Sequence, residues 1–216
     1  MLILASNSPR RKELLALGDW DFSVNPVDID ESPLLSEHPI DYVARLAKRK
    51  AQRAADLSTA GDIVIAADTT VADGSSILGK PVDNSEAEHM LRQLRGRTHQ
   101  VFTAAAVVTI SGYEMLSELC ETAVPMRSYS DEELLAYIAT GDPLDKAGAY
   151  AIQHTGFSPV SNLSGCFANV MGLPLCHLVR ALAKFNVLPK TDIPRACQVK
   201  LGYDCPIFAD VLRGAY

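Results

Sequence analysis

Five consecutive apolar residues at positions 63–67 end at Asp68, and this run limits most strongly what the chain can fold into. Successive side chains of a strand point to opposite faces, so an unbroken apolar run predicts a strand that is buried on both faces. The strand would end at Ala67. It would place the Asp68 carboxylate just beyond its carboxyl end, which is the usual location of ligand sites in α/β sheets.

The composition is that of a chain that buries a core. The 216 residues are 48% hydrophobic and 21% charged, with a net charge of −6, which excludes a disordered tail. At this length we expect one domain, or two small lobes that share a sheet. The longest uncharged apolar stretches, at residues 63–67 and 101–110, are far shorter than the ~20 residues that cross a bilayer. Because residues 1–11 also lack the features of a signal peptide, we expect a cytoplasmic protein with no membrane partner.

Strand and helix signals follow one another along the chain. A short apolar strand at residues 2–5 leads into a helix that Ser8 caps and Gly18 ends. Ser130 and Glu133 have the spacing of a capping box, which predicts another helix. The other predicted elements are helices at residues 40–57, 85–95 (capped by Ser85) and 173–185, and an antiparallel hairpin of strands 99–110 and 114–127.

The helix after Ser8 begins with three consecutive cations, Arg10, Arg11 and Lys12. The helix dipole already places positive charge at that end, so each cation there costs ~0.3–1 kcal/mol unless an anion neutralises it. Together with the Ser6 hydroxyl and free backbone N–H groups, the cluster predicts a phosphate site. The alternative is a basic turn that only water contacts.

Asp68 admits two chemical roles. A carboxylate at that place can bind Mg²⁺ through its oxygens, or it can accept a proton from an attacking water. The alternative without a ligand is an aspartate that begins a turn by bonding to the nearby backbone.

Two further segments carry candidate binding residues. Residues 74–80 have the spacing of a P-loop, but Pro81 stands where Ser or Thr should hold Mg²⁺ and no helix follows directly, so we reject that motif. The turn still presents Lys80 to a phosphate. Residues 141–150 combine a turn with small residues, and the Gln153 amide beyond them can donate and accept at once, which suits the edge of a base. Tight packing around a turn explains the same string without a ligand.

The sequence favours neither a covalent nucleophile nor a nucleic-acid partner. Its five cysteines include no Cys-x-x-Cys pair and are expected to be reduced and packed as small apolar groups. Its five histidines show no metal-binding spacing, and no Gly-x-Ser-x-Gly elbow occurs. With 26 acidic and 20 basic residues the chain lacks the charge of a nucleic-acid binder, so an anionic ligand must meet a local cluster of cations.

Several of these segments, taken in order over residues 2–186, resemble the Maf family. The resemblance rests on Glu31 and on LASNSPRR at residues 4–11, LAKRKA at 46–51, ADT at 67–69, LGKP at 78–81, GDPLDKAGAY at 141–150 and GLPL at 172–175. It implies a nucleoside triphosphate pyrophosphatase that uses Mg²⁺ or Mn²⁺ and cuts between the α and β phosphates. The implied fold is the elongated α/β type of the inosine triphosphate pyrophosphatases, with a mixed curved sheet, flanking helices and two lobes around a cleft. The resemblance also implies a homodimer.

The resemblance implies a role for each matching site residue. Asp68 would be the proton acceptor or a metal ligand, and Glu31 would be a second carboxylate for the metal. Which acid does which stays open, because both roles suit Asp and Glu. Water would attack directly, which agrees with the missing nucleophile motifs. The residues implied to surround the triphosphate are Ser6, Arg10, Arg11, Lys50 and Lys80.

The combination of Arg10, Thr69 and Gln153 resembles the family branch that acts on dTTP, UTP and modified pyrimidine triphosphates. The branch that acts on 7-methyl-GTP typically has Trp in place of the first Arg. The chain departs from its relatives over residues 154–169, a loop that could line the base pocket. The resemblance covers a domain at residues 1–186 and leaves residues 187–216 as a C-terminal extension of unknown role.

Three other functions stay open at this point. A nucleotide-sensing regulator of cell division would bind triphosphates and would tolerate Asn in place of Asp68. A 7-methyl-GTP pyrophosphatase would carry an atypical set of specificity residues. A scaffolding protein is the least favoured, because it does not explain why cations recur at a helix start, on a second helix and beside Pro81.

Overall fold

The computed structural model describes residues 1–112 and 114–215. Its centre is a six-stranded sheet with the order β2-β1-β3-β5-β6, in which β4 pairs with β3 outside this path. β1 is parallel to β2 and β3, whereas the β3–β5 and β5–β6 pairs are antiparallel. The predicted α/β class with a mixed sheet is therefore confirmed. The strands are β1 (Leu2–Leu4), β2 (Phe22–Val24), β3 (Ile63–Asp73), β4 (Ser76–Leu78), β5 (Thr98–Thr109) and β6 (Met115–Pro125).

The prediction that the central strand ends at Ala67 is wrong. β3 continues through Asp68 to Asp73, and it pairs with β5 from Ile63 to Ala72. Backbone hydrogen bonds to β5 keep residues 68–72 in the strand although three of them have polar side chains. The polar residues after Ala67 line a cavity and do not mark a turn.

One edge of β3 has two short partner strands with a gap between them. β5 occupies the opposite edge along nearly the whole strand, so β1 and β4 must both pair with this one. The β1 pairing ends at Ile65 and the β4 pairing begins at Val71. Within the described chain, residues 66–70 have no strand partner on this edge. The loop after β1 and the turn after β4 therefore meet at one opening beside β3.

The helices flank the sheet, and none of those in the described residues is long and apolar enough to cross a membrane. They are α1 (Pro9–Ala16), α2 (Pro39–Ala55), α3 (Asn84–Leu94), α4 (Asp131–Ala139), α5 (Phe167–Val170), α6 (Leu175–Ala183), α7 (Ile193–Leu201) and α8 (Phe208–Leu212), with 3-10 turns at Asp142–Asp145 and Ala147–Ala149.

The helix caps are mostly those that the sequence predicts. Ser8 caps α1, and Ser130 forms the predicted capping box at α4. The prediction that Ser85 caps α3 is wrong, because the N-cap is Asp83. Asp83 has the extended backbone that an N-cap needs, and its Oδ1 accepts a hydrogen bond from the Glu86 backbone N–H at 2.9 Å.

The apolar run of β3 packs on both faces, as predicted. Val64 and Ala66 are fully buried in the cluster that α2 covers. Ile65 and Ala67 are fully buried in the cluster formed with α1 and α6 on the other face. Because of this alternation, residues of β3 beyond Ala67 also point alternately to the two sides of the sheet.

The C-terminal residues pack on the α6 side. Ile193, Ile207 and Val211 are buried in the same apolar cluster as α6. The Tyr203 hydroxyl lies within hydrogen-bond distance of the Leu163 and Gly165 carbonyls, at 3.2 and 3.0 Å. These contacts seat the extension on the core.

Candidate active site

A cavity of about 520 Å³ opens at the gap beside β3. Its wall combines the loop after β1 and the start of α1 with parts of residues 26–31, β3, the turn after β4 and residues 145–153 and 170–172. The fold thus brings together segments that are far apart in the sequence. All of the predicted site residues line this cavity: Ser6, Arg10, Arg11, Glu31, Lys50, Asp68, Thr69, Lys80 and Gln153.

The start of α1 directs donors into the cavity. Ser8 Oγ accepts a hydrogen bond from the Arg11 backbone N–H at 3.4 Å and so caps the helix. Ser6 is buried, and its Oγ accepts from the Ser8 backbone N–H and from Arg11 Nη1, both at 3.2 Å. Arg10 lines the cavity beside them, whereas Lys12 is exposed and lies outside the lining.

The Arg11 guanidinium bonds to neutral oxygens. Nε donates to the Gly172 carbonyl at 2.8 Å, Nη1 to Ser6 Oγ, and Nη2 to Thr69 Oγ1 at 3.1 Å. Burial lowers the pKa of Arg11, and the nearby charge of Asp68 opposes that shift. A half-buried cation held by uncharged partners favours an anionic ligand, because a phosphate supplies the missing charge.

Lys50 forms ion pairs with both predicted acids, Asp68 and Glu31. Its Nζ lies 2.6 Å from Asp68 Oδ1 and 2.6 Å from Glu31 Oε1. The Asp68 side chain is only 8% exposed, whereas that of Glu31 is 53% exposed. The two carboxylates therefore converge on one point, one from inside the protein and one from the cavity mouth.

Two opposing influences act on the pKa of Asp68. Burial raises it above its usual value, and the positive charges of Lys50 and Arg11 oppose the rise. A carboxylate with a raised pKa accepts a proton more readily, provided that it is still ionised at the working pH. Asp68 thus has the environment of a general base.

The turn after β4 is fixed by close backbone contact. The Gly148 N–H donates to the Gly79 carbonyl at 3.0 Å. Gly148 has a φ of +68°, and a Cβ at this position would come within 2.9 Å of Val71 Cγ1, so the approach requires glycine. This contact brings the exposed side chains of Lys80 and Gln153 into the same cavity wall.

Lys146 is a cavity residue to which the sequence motifs assign no role. Its buried Nζ donates to Asp142 Oδ1 at 2.9 Å and to Asp145 Oδ1 at 2.6 Å. Tyr137 OH donates to Asp142 Oδ2 at 2.7 Å and accepts from the Ala151 backbone N–H at 3.1 Å. The network holds the segment that leads to the cavity wall. The spacing of two acids before Lys146 is the signal that could have indicated it.

One side of the cavity is largely apolar, which suits a ring or a base. Val71 on β3 is paired in register with Val101 on β5, and both line the cavity. The buried Tyr150 lies beside them, with its OH 2.8 Å from Nε2 of the fully buried His99. The apolar lining residues on this side are Val71, Val101, Tyr150, Ile152, Val170 and Met171.

The loop at residues 154–169 does not line the cavity, so the expectation that it could form the base pocket is corrected. All of its residues are described, and the lining passes from Gln153 directly to Val170. The loop packs against α4 instead. The Phe157 ring stacks on Tyr137 with centroids 4.3 Å apart, and the Phe157 carbonyl accepts from Arg127 Nη2 at 2.6 Å.

The donor set fits a divalent cation that shares its ligands with a bound nucleotide. Residues 1–112 and 114–215 contain no group of three or more His, Cys, Asp or Glu side chains that could hold a metal ion alone. Mg²⁺ is commonly bound by one or two carboxylates together with substrate phosphates. Asp68 and Glu31 offer such a pair, and an ion bound by both would share them with Lys50 Nζ, which lies 2.6 Å from each.

The cysteines take no part in this cavity. All five are free thiols, as predicted, and the described lining contains none of them. Burial raises the pKa of the Cys176 thiol to about 12, which leaves it protonated and unreactive.

Comparison with known proteins gives a family match and several similar proteins. The model of the family described as Maf-like protein matches residues 1–185. A dTTP/UTP pyrophosphatase of Citrifermentans bemidjiense is 44% identical over 187 residues, which cover 87% of this chain and 96% of that protein. A dTTP/UTP pyrophosphatase of Shewanella denitrificans is 47% identical over 189 residues, covering 84% of this chain and 94% of that protein. A solved HAM1 protein of Coxiella burnetii matches with a TM-score of 0.41 and 17% identity over 58% of this chain and 72% of that chain. The family match and these identities show that this chain belongs to the Maf family.

Proposed function

We propose that this protein hydrolyses the α–β phosphoanhydride of dTTP, UTP or modified pyrimidine triphosphates, and releases the monophosphate and pyrophosphate. The observation that carries the proposal is the meeting, in one cavity, of Arg11 with neutral partners and the buried carboxylate of Asp68. A polyphosphate supplies the negative charge that the direct partners of Arg11 do not, and the carboxylate can take a proton from water. The names of the relatives support the same activity.

The triphosphate is bound by the start of α1 and by the turn after β4. Arg10 and Arg11 present planar guanidinium groups that match phosphate oxygens, and Lys80 adds a point charge from the turn after β4. The Ser6 hydroxyl and the N-terminus of α1 add neutral donors and a favourable dipole. Because the protein as a whole is negative, this local cluster is what attracts the anion.

Hydrolysis needs no covalent intermediate. Water attacks the α phosphorus, the bond from that phosphorus to the bridging oxygen breaks, and pyrophosphate leaves. Asp68 accepts the proton of the attacking water, and Lys50 orients the Asp68 carboxylate through the 2.6 Å contact. The surrounding cations stabilise the charge that develops on the leaving pyrophosphate.

Asp68 and Glu31 are the residues that would hold Mg²⁺ or Mn²⁺. When bound, such an ion neutralises phosphate charge and makes a coordinated water more acidic. Both carboxylates bond to Lys50 Nζ, but that of Glu31 is exposed at the cavity mouth, whereas that of Asp68 is buried.

The pyrimidine preference rests on the three residues that resemble the dTTP/UTP branch, Arg10, Thr69 and Gln153. All three line the cavity that also has the apolar wall of Val71 and Val101. The Gln153 amide can both donate to and accept from a pyrimidine edge. A purine-specific enzyme for 7-methyl-GTP is the alternative that substrate comparison tests.

The decisive experiment is pyrophosphate release from dTTP, UTP, CTP, ITP and 7-methyl-GTP at equal concentration, with Mg²⁺ or Mn²⁺. We expect dTTP and UTP to be the best substrates. Asp68→Asn should lower turnover by about a thousandfold or more, because it removes the proton acceptor. Asp56→Asn, at an exposed position outside the cavity lining, is the matched control and should retain activity.

The other outcomes are equally informative. A clear preference for 7-methyl-GTP would reject the pyrimidine assignment. Binding without hydrolysis of any triphosphate would favour the nucleotide-sensing regulator. The homodimer stays a prediction of the family resemblance, and the cytoplasmic location stays an expectation from the sequence. Sedimentation of the purified protein measures the oligomeric state.

A further inference from the structure

The C-terminal extension, residues 187–216, lies outside the family match and contacts the loop that leads to α5. Tyr203 makes this contact. Its hydroxyl accepts a hydrogen bond from the Gly165 backbone N–H at 3.1 Å, and it lies 3.0 Å from the Gly165 carbonyl oxygen and 3.2 Å from that of Leu163. Carbonyl oxygens only accept, so the one proton of the hydroxyl is directed at these two. One side chain of the extension thus bonds to backbone groups on both sides of residue 165.

The loop that Tyr203 contacts runs directly into α5. Cys166 is the N-cap of α5, and Phe167 is its first residue. The Phe167 ring packs against the Tyr203 ring, with centroids 5.6 Å apart. α5 has only four residues, and a helix this short is not stable by itself, because few hydrogen bonds offset the cost of nucleating it. The position of α5 therefore depends on the groups that pack against it.

The far end of α5 holds the Arg11 guanidinium. The Gly172 N–H donates to the Asn169 carbonyl at 2.8 Å, and the Leu173 N–H donates to the Ala168 carbonyl at 3.0 Å, so both residues are bonded to α5. The Gly172 carbonyl in turn accepts a hydrogen bond from Arg11 Nε at 2.8 Å. A shift of α5 therefore moves an acceptor that orients Arg11.

α5 packs against two parts of the protein, the sheet and the extension. On the sheet, Asn169 Nδ2 donates to the Val101 carbonyl at 3.0 Å and to Thr122 Oγ1 at 2.9 Å. Tyr203 supplies the contact from the extension, next to the N-cap of the helix. A short helix that is bonded through one residue can pivot about it, and a second contact at its start prevents that motion. Tyr203 thus limits where the far end of α5 can lie.

We propose that Tyr203 is a positioning residue for triphosphate binding. It holds the start of α5, and the end of α5 holds the Gly172 carbonyl that orients the Arg11 guanidinium. Lys50, the partner of Asp68, lies on α2 and not on α5, so the effect falls on binding and not on proton transfer. This inference rests on the proposed function, in which Arg11 receives the triphosphate, and it gives the C-terminal extension a role in the site.

The test compares Tyr203→Phe, which keeps the ring and removes the hydroxyl, with Tyr129→Phe as the matched control. The Tyr129 hydroxyl also donates to a backbone carbonyl, that of Leu91, but Tyr129 lies outside the cavity lining. We expect Tyr203→Phe to raise the KM for dTTP and the dissociation constant of its α,β-methylene analogue by about fivefold, with kcat within about twofold. Tyr129→Phe should leave all three values within about twofold of the natural protein.

A double variant distinguishes positioning from a general loss of stability. Arg11→Lys lacks the guanidinium plane that the Gly172 carbonyl orients. Adding Tyr203→Phe to Arg11→Lys should therefore weaken analogue binding by less than about twofold further, because both changes act through one contact. A further fivefold loss would show that the two residues act independently, and it would overturn the inference.

Unchanged analogue binding in Tyr203→Phe overturns the inference and leaves the proposed function intact. An equal loss in Tyr129→Phe also overturns it. If no triphosphate is hydrolysed, the proposed function fails, while analogue binding still tests Tyr203; if the natural protein does not bind the analogue, both fail. Thermal unfolding shows whether each variant is folded. If Tyr203→Phe is not, Phe167→Leu, which weakens the ring contact, must raise the dissociation constant of the analogue in its place.

Discussion

Lys50 and Arg11 line the same cavity, but the protein treats their charges in opposite ways. Lys50 lies 2.6 Å from two carboxylates, those of Asp68 and Glu31. Arg11 bonds to two hydroxyls and a carbonyl, all neutral. The cavity thus has one end where the direct partners of the cation are charged and another where they are neutral and leave the cation available to an anionic ligand.

The two arrangements suit different tasks. A lysine between two acids holds their carboxylates close together in the absence of a ligand. An arginine held in a fixed plane by neutral oxygens keeps its orientation while its charge remains available to a phosphate. In the proposed reaction the first arrangement prepares the proton acceptor and the second receives the triphosphate.

The largest expected effect of the three changes below comes from Arg11→Lys. A lysine retains the charge but cannot bond to Ser6, Thr69 and Gly172 at once, so we expect kcat/KM for dTTP to fall by about a hundredfold. Arg49→Lys on α2, exposed and outside the lining, is the control and should be near normal. Near-normal kinetics for Arg11→Lys would mean that activity needs only a positive charge at this position and does not need the planar guanidinium group.

A smaller effect on activity is expected from a change at the end of the cavity where Asp68 and Glu31 contact Lys50. Glu31→Gln removes the exposed member of the acid pair and leaves Asp68 with Lys50. We expect the Mg²⁺ concentration for half-maximal activity to rise by about tenfold, because one carboxylate ligand is lost, while kcat at saturating Mg²⁺ changes by less than about threefold.

Metal titration of the natural protein, Glu31→Gln and Glu13→Gln measures this effect. Glu13 is exposed on α1 outside the cavity lining, so its variant should titrate like the natural protein. An unchanged Mg²⁺ requirement in Glu31→Gln would remove Glu31 from the metal site and leave it only as a partner of Lys50.

The sequence allows the residues at the Lys50 and Arg11 ends of the cavity to be predicted, but not the hydrogen bonds that connect them to the rest of the protein. Arg11 and Asp68 stand beside local signals, a helix cap and an apolar run. The buried Thr103 on β5 carries no local signal, because its hydrogen bonds depend on the register that places it opposite Thr69 and on the Asn169 carbonyl, which is distant in sequence. Lys146 does have a local signal, the two acids that precede it, but the contact of Asp142 with Tyr137 that completes the network is visible only in the folded protein.

The errors in the fold prediction have the same physical origin. Polar residues after Ala67 resemble the end of a strand, yet pairing with β5 continues and the cavity takes up their side chains. Asp83 and Ser85 both suit an N-cap, and only the backbone conformation selects Asp83. α7 and α8 are short, and buried residues such as Ile193 and Val211 dock them on the core, so their periodicity alone is a weak signal.

A third basic side chain, His99, extends the comparison and has the smallest expected effect on turnover. Burial lowers its pKa from 6.5 to about 4, so its imidazole is neutral at pH 7, where it contacts the Tyr150 hydroxyl behind the apolar wall. The unfolded chain binds a proton near pH 6.5 and the folded protein only near pH 4. The contribution of His99 to the free energy of unfolding is therefore constant above about pH 6.5. It falls as the pH drops from there to about 4, and it levels off below about pH 4.

Urea unfolding of the natural protein and of His99→Gln at pH 7, 6 and 5 measures this linkage. The free energy of unfolding of the natural protein minus that of the variant should fall by about 2 kcal/mol between pH 7 and pH 5. His177, whose pKa burial also lowers to about 4, is present in both proteins, so its titration cancels in the difference. A difference that does not vary with pH would show that folding leaves the pKa of His99 unchanged. Turnover of the natural protein between pH 6 and 8 should show no contribution from His99, because the folded protein holds its imidazole neutral across that range.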